Sequence, residues 1–211
     1  MMIDELLIRK ALANEVKNVH DPRCFSVLLP LIALKEGYGL LYEVRSQNIS
    51  QGGEVSFPGG RVEKGESAYE SALRETKEEL GIKIEDILPL GQSDYYENES
   101  IRIDAFVAIL KNSAWQNYPF AKNEVSSLFV VPLAELLESE VKSYELKGKI
   151  DKGLNPSFPF AKIPQGEDYH WKGMNKRVLF YDLGEERPMI WGLTAILTEG
   201  FLKKIRQYAL V

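Results

Sequence analysis

Apolar and polar residues fall in blocks along the chain that separate into helices and strands. Ile3, Leu6, Leu7, Leu12 and Val16 recur at helical spacing, which predicts an amphipathic helix within residues 1–20, ended by Asp21-Pro22. Residues 25–34 form a nearly continuous apolar run, the pattern of a central strand; Pro30 inside it predicts an edge position or a bulge, because proline cannot donate to a ladder. Glu36-Gly37 reads as a tight turn into a second strand over 38–44. A strand over 84–90, interrupted by Pro89, precedes a polar and aromatic stretch at 92–97 and a strand over 101–110. Residues 113–123 read as a loop whose Trp115, Tyr118 and Phe120 either stack on a base or pack the loop onto its own domain. Glu124-Val125 opens a strand over 127–131, and Pro132 starts a helix through Leu137. Residues 138–165, with Gly148, Gly153, Pro156, Pro159 and Pro164, predict a hairpin or long loop over a site, with Phe158 and Phe160 lining a pocket or anchoring the loop. A strand over 177–181 and a terminal helix over 189–208 complete the pattern; Gly200 is tolerated inside that helix at about 1 kcal/mol.

One helix differs from the others in its polar face. Ser67 and Glu70 form a capping box, residues 68–80 lack glycine and proline, and Gly81 stands where a left-handed C-terminal cap is usual. Tyr69, Leu73, Thr76 and Leu80 share the side expected to face the core. Glu75, Glu78 and Glu79 share another, with Ala68 and Ala72 behind them. Carboxylates so spaced repel one another, and neither Lys64 nor Lys77 falls between them. Such a face is either solvated or occupied by a cation. The preceding loop, Phe57-Pro58-Gly59-Gly60, would let the backbone approach a ligand, and carboxylates beside exposed carbonyls suit the hard cations Mg²⁺ or Mn²⁺.

Composition narrows the setting. A chain of 211 residues predicts one domain with a sizeable core. A net charge of −5 argues against a general nucleic-acid surface. Cys24 is the only cysteine, so no intrachain disulfide forms; its apolar surroundings predict a buried small side chain. His20 and His170 lie far apart without cysteine partners, against a zinc site. No apolar run is long enough to cross a membrane, the N-terminus lacks a signal-peptide core, and the C-terminus carries no peroxisomal address. The expectation is a cytoplasmic protein with no membrane or nucleic-acid partner. Oligomeric state is left open.

The segment GRVEKGESAYESALRETKEELGI, residues 60–82, resembles the Nudix box, G-x5-E-x7-R-E-U-x-E-E-x-G-U, through Gly60, Glu66, Arg74, Glu75, Glu78, Glu79 and Gly81. Thr76 stands where the pattern is usually aliphatic. Upstream, LLYEVRSQNISQGGEVSFPGGR resembles a second signature found in coenzyme A pyrophosphatases, through Leu40, Leu41, Arg45, Ser46, Gly53, Val55, Phe57, Pro58, Gly59, Gly60 and Arg61. Ser50 and Gln51 stand where that pattern usually has Arg and His, a loss of positive charge beside a substrate bearing a 3′-phosphate. IWGLTAILTEGFL, near the C-terminus, resembles the same subfamily.

The resemblance implies a single Nudix domain over 1–211. Its fold would be α/β, an α/β/α sandwich with a mixed sheet and the box helix packed on it. It implies a Mg²⁺- or Mn²⁺-dependent pyrophosphohydrolase acting on a small nucleotide derivative. Coenzyme A or its thioesters would yield 4′-phosphopantetheine and 3′,5′-ADP. Glu75, Glu78 and Glu79, with the Gly59 carbonyl, are the candidate metal ligands. Those glutamates or Glu124 would act on water; Glu124 is alternatively a structural acid bonding loop amides. Glu66 and Arg74 would orient the box, Arg74 pointing away from the carboxylates. Arg45 and Arg61 are the candidate phosphate contacts, although either could simply pair with a surface carboxylate. ADP-ribose, a dinucleotide or a nucleoside triphosphate are alternative substrates. A non-catalytic ligand-binding module would be expected to lose box carboxylates, and here all are present.

Overall fold

A computed structural model describes residues 20–111, 114–148, 150–151, 153–154, 157–163, 175–184 and 186–209; the helix expected within 1–20 lies almost wholly outside these. The strands are β1 (Arg23–Ala33), β2 (Tyr38–Arg45), β3 (Val55–Ser56), β4 (Gly59–Arg61), β5 (Ile87–Gln92), β6 (Tyr96–Glu97), β7 (Ile101–Leu110), β8 (Val125–Pro132), β9 (Val141–Leu146), β10 (Lys176–Tyr181) and β11 (Ile190–Trp191). The helices are α1 (Ala68–Leu80), α2 (Leu133–Glu138) and α3 (Gly192–Ala209). A mixed eight-stranded sheet runs β3-β2-β1-β7-β5, with β4 on β1, β6 on β7 and β8 on β2. β1 and β7 are parallel over ten residue pairs; the other pairings are antiparallel. A second sheet, β11-β10-β9, is antiparallel.

Alternation along β1 and β2 sorts their side chains to two cores. Leu29, Leu31, Leu40 and Tyr42 join Leu136, Tyr181, Ile190, Ala195 and Leu202 on the face covered by α3 and the small sheet. Leu28, Ile32 and Leu41 join Leu80 and Tyr118 beneath α1. The result is the expected α/β/α layering, built because each strand in the middle is apolar on both faces.

The site grows from a split in the sheet. β1 and β2 pair only at one end, Leu31–Leu40 through Ala33–Tyr38. Beyond that end the 55–61 segment fills the wedge: β3 pairs with β2, and β4 pairs with β1. Phe57 is buried in stacked contact with Tyr42, ring centres 4.9 Å apart, which anchors the wedge to the core.

Pro30 does not mark an edge. It lies in the middle of central β1, opposite Ala108 of β7. Leu28 N–H bonds the Pro58 carbonyl and Leu34 N–H the Gly37 carbonyl, so alternation aims the position of proline's missing N–H at the same side, between the partners β4 and β2. Of the hairpin or long loop expected over 138–165, the first part is strand β9, paired antiparallel with β10, and the terminal helix starts at Gly192 because Ile190–Trp191 pair with β10. Cys24 is exposed near the open end of β1, not buried. Trp115 and Tyr118 pack onto the core under α1, which resolves the alternatives for their loop.

Candidate active site

Helix α1 is built as its local sequence dictates. Ser67 Oγ accepts from Glu70 N–H while the Glu70 carboxylate takes the Ser67 N–H at 2.8 Å, and Gly81, at φ 66°, closes the helix on the Lys77 carbonyl. Thr76, where the box pattern prefers an aliphatic residue, is fully buried and satisfies its hydroxyl on the Ala72 carbonyl at 2.6 Å.

Two glycines let the wedge meet the helix. A Cβ on Gly59 would overlap the Ser26 carbonyl oxygen, and one on Gly60 would overlap the Glu75 carboxylate. Gly59 N–H donates to Glu79 at 2.8 Å, so the segment and the helix are tied through an acidic side chain.

Arg74 holds the outer part of the acidic face. It donates to Glu66 at 2.8 and 3.2 Å, to Glu75 at 2.8 Å and to Glu78 at 3.4 Å. The expectation that Arg74 points away from the carboxylates therefore fails: the guanidinium reaches Glu75 and Glu78 of that face as well as Glu66. Arg74 beside Glu66 pulls that carboxyl down to about 2.

The inner part is different. Glu79 is 4% exposed and Glu43, from β2, only 1%. Glu75 and Glu124 stand close enough to act on both electrostatically. Burial, reinforced by the neighbouring carboxylates, holds the Glu43 and Glu79 carboxyls well above their ordinary value, and burial raises Glu75 as well. Glu43 Oε1 accepts from Ser56 Oγ at 2.8 Å, but Oε2 is buried with no hydrogen-bond partner among the described residues. Glu124 comes to the cluster because Ala121 N–H bonds the Glu79 carbonyl and Ser46 N–H bonds the Glu124 carbonyl, both at 2.8 Å. Its carboxylate accepts from Asn123 Nδ2 at 3.1 Å.

Sequence reasoning missed Glu43. The signal was present: a single acid in the apolar strand run 38–44, where alternation places it on the α1 face next to Leu41. A buried cluster of carboxylates with an orphaned oxygen and too little positive charge has the donor chemistry of a hard divalent cation site. Among the described residues no three acidic, histidine or cysteine side chains are already grouped as a coordination shell; Arg74 and Gly59 N–H donate to oxygens of Glu75, Glu78 and Glu79.

Beside Gly59 and Gly60 opens a cavity of about 250 Å³ whose lining includes Arg45, Gln51, Lys176 and Trp191. Arg45 Nε donates to the Ser50 carbonyl at 3.1 Å, which holds the 46–53 turn against β2. Gln51 adopts a left-handed φ of 59°. Arg61 is exposed on β4 and does not line this cavity; its carbonyl accepts from Ser71 and Arg74. Lys176, which the sequence did not single out, is contributed by β10 of the small sheet. No helix among the described residues is long and apolar enough to cross a membrane.

A model of the NUDIX domain matches residues 26–150. The chain is 31% identical over 202 residues to a probable nudix hydrolase of Schizosaccharomyces pombe, covering 93% of this chain and 61% of that protein. It therefore spans less than two thirds of that relative's length. It is 33% identical over 176 residues to Nudix hydrolase 3 of Caenorhabditis elegans, covering 82% of this chain and 69% of that one. It is 27% identical over 200 residues to the human mitochondrial coenzyme A diphosphatase NUDT8, covering 92% and 75%.

Proposed function

The chain belongs to the NUDIX family, and from that premise we propose that it is a pyrophosphohydrolase cleaving the diphosphate of coenzyme A or a coenzyme A thioester. The observation that carries the hydrolase reading is the carboxylate group beside Gly59 and Gly60, in which Glu43 and Glu79 are buried and Glu75 and Glu124 are half-buried. Glu75, Glu78 and Glu79, with the Gly59 carbonyl, would hold Mg²⁺ or Mn²⁺. The cation supplies charge neutralisation to the diphosphate and makes water more acidic.

The chain's own residues do the rest. Gly59 and Gly60 keep the backbone bare where the diphosphate approaches. Arg74 and Glu66 fix the helix face that carries the ligands. Glu124 accepts a hydrogen bond from Asn123 and serves to orient or deprotonate the attacking water.

The coenzyme A assignment rests on the second signature and on the similarity to a protein named as a coenzyme A diphosphatase. Arg45 and Lys176 on the 250 Å³ cavity are the proposed partners of the 3′-phosphate, with Lys176 offsetting the charge absent at Ser50 and Gln51. Arg61 would meet substrate from outside that cavity. Ser50 and Gln51 also favour one competing reading, a nucleoside diphosphate derivative without a 3′-phosphate, such as ADP-ribose.

The test is product analysis with Mg²⁺ on coenzyme A, dephospho-coenzyme A, ADP-ribose and NADH. Release of 3′,5′-ADP from coenzyme A with little turnover of ADP-ribose is expected. Preference for ADP-ribose or NADH would overturn the coenzyme A assignment, and no turnover of any with Mg²⁺ or Mn²⁺ would count against the hydrolase.

A further inference from the structure

The carboxylate cluster contains a residue that no box pattern supplies. Glu43 sits in the middle of β2, 1% exposed, on the face beneath α1. One oxygen is accounted for by Ser56 Oγ at 2.8 Å; the other is buried and has no partner among the described residues. A structural role for this side chain would need only an acceptor for Ser56, which a neutral amide provides. The negative charge has no such role. The charged groups acting on it are Arg45, whose Nε bonds the Ser50 carbonyl, and three further carboxylates, Glu75, Glu79 and Glu124. A charged carboxylate buried among carboxylates is strongly unfavourable unless a proton or a cation neutralises it, and in the absence of a cation a neutral amide in its place would cost the fold nothing or stabilise it.

We infer that Glu43 is a cation-contacting carboxylate of this site, turning its bare Oε2 to the divalent ion held by the box glutamates. This rests on the reading of the cluster as a cation site. It makes the site span two elements: α1 supplies the box ligands and β2 supplies Glu43. Cation binding then ties the helix to the sheet at the split between β1 and β2.

The test uses the full chain treated with a chelator and measures Mn²⁺ binding by calorimetry, with the thermal midpoint recorded with and without Mn²⁺. Glu43→Gln keeps the Ser56 acceptor and removes only the charge. Its midpoint without Mn²⁺ is expected at or above that of the parent protein, and its Mn²⁺ affinity lower by about tenfold or more, since even a group that only supports a metal ligand costs about that much when it is replaced. Glu43→Gln binding as tightly as the parent, while Glu79→Gln loses binding, overturns the role of Glu43 alone. Absence of saturable Mn²⁺ binding by the parent protein overturns the cation reading itself, and this inference with it. Should Glu43→Gln not fold, Glu43→Asp carries the test: it keeps the charge and shortens the reach, so reduced Mn²⁺ affinity is expected and unchanged affinity overturns the inference.

Discussion

Gly60→Ala separates the site from the fold more cleanly than removal of any glutamate. The new Cβ would fall on the Glu75 carboxylate, the mobile end of a side chain, and Gly60 does not have a positive φ. Glu75 must swing aside and gives up its 2.8 Å contact with Arg74, a partly exposed pair worth about 0–1 kcal/mol. The midpoint of thermal unfolding should therefore move by no more than roughly 2–4 °C. Displacing a carboxylate that orients a cation should lower Mg²⁺-dependent turnover by about 10–100-fold. Gly59→Ala provides the contrast. Its Cβ would strike the Ser26 carbonyl and the Val27 backbone in central β1, at a φ of 157°, so nothing flexible can yield. Backbone strain of about 1–3 kcal/mol and overpacking of similar size predict a midpoint lower by roughly 10 °C. Paired melts and Mg²⁺ titrations of product release measure both. The reasoning is refuted if Gly60→Ala retains turnover close to the parent's, or if it melts as low as Gly59→Ala.

Glu79→Gln should keep the acceptor for Gly59 N–H and remove one repelling charge; turnover should fall by orders of magnitude while the chelator-treated protein melts at or above the parent, and near-normal turnover at saturating Mg²⁺ would exclude a ligand role. Stability should depend on pH in a defined direction. Glu43 and Glu79 hold their protons more tightly folded than unfolded, so above the ordinary carboxyl value of 4.5 the folded chain binds more protons and stability falls as pH rises. Glu66, pulled down to about 2, acts oppositely, and its contribution is lost only as pH falls below the ordinary value. Chelator-treated protein should thus melt progressively lower from about pH 5.5 to about pH 8.5, and saturating Mg²⁺ should flatten that slope, because the cation takes the place of the protons; a flat profile without Mg²⁺ would count against the buried cluster. Arg45→Ala and Lys176→Ala should each raise KM for coenzyme A more than for dephospho-coenzyme A; equal effects on both substrates would remove the 3′-phosphate role.

Helix α1, its capping box and its glycine cap were legible in the sequence because all are set within a few residues. So was the grouping of Glu75, Glu78 and Glu79, which follows from the helical repeat alone. Strands β1, β2, β7 and β8 were readable from apolar runs too long and too branched for loops. The ends of that legibility are equally physical. Pro30 was misplaced because the side on which a missing N–H falls depends on which partner lies there, and β1 changes partner along one edge. Strand β9 was hidden because its six residues are exposed or only partly buried and owe their conformation to pairing with β10.

Sequence by itself determined which residues carry charge, where the box helix starts and stops, and that three of its carboxylates lie together. Only the tertiary structure decided that Glu43 and Glu124 join them, from positions 32 residues before Glu75 and 45 residues after Glu79 in the numbering. It also decided that Arg74 reaches the carboxylates and that Lys176 reaches the cavity of Arg45. The reason is one of range. Helix periodicity and capping act over three or four residues, whereas burial and the field of neighbouring charges act through space, and exist only once the sheet has closed around them.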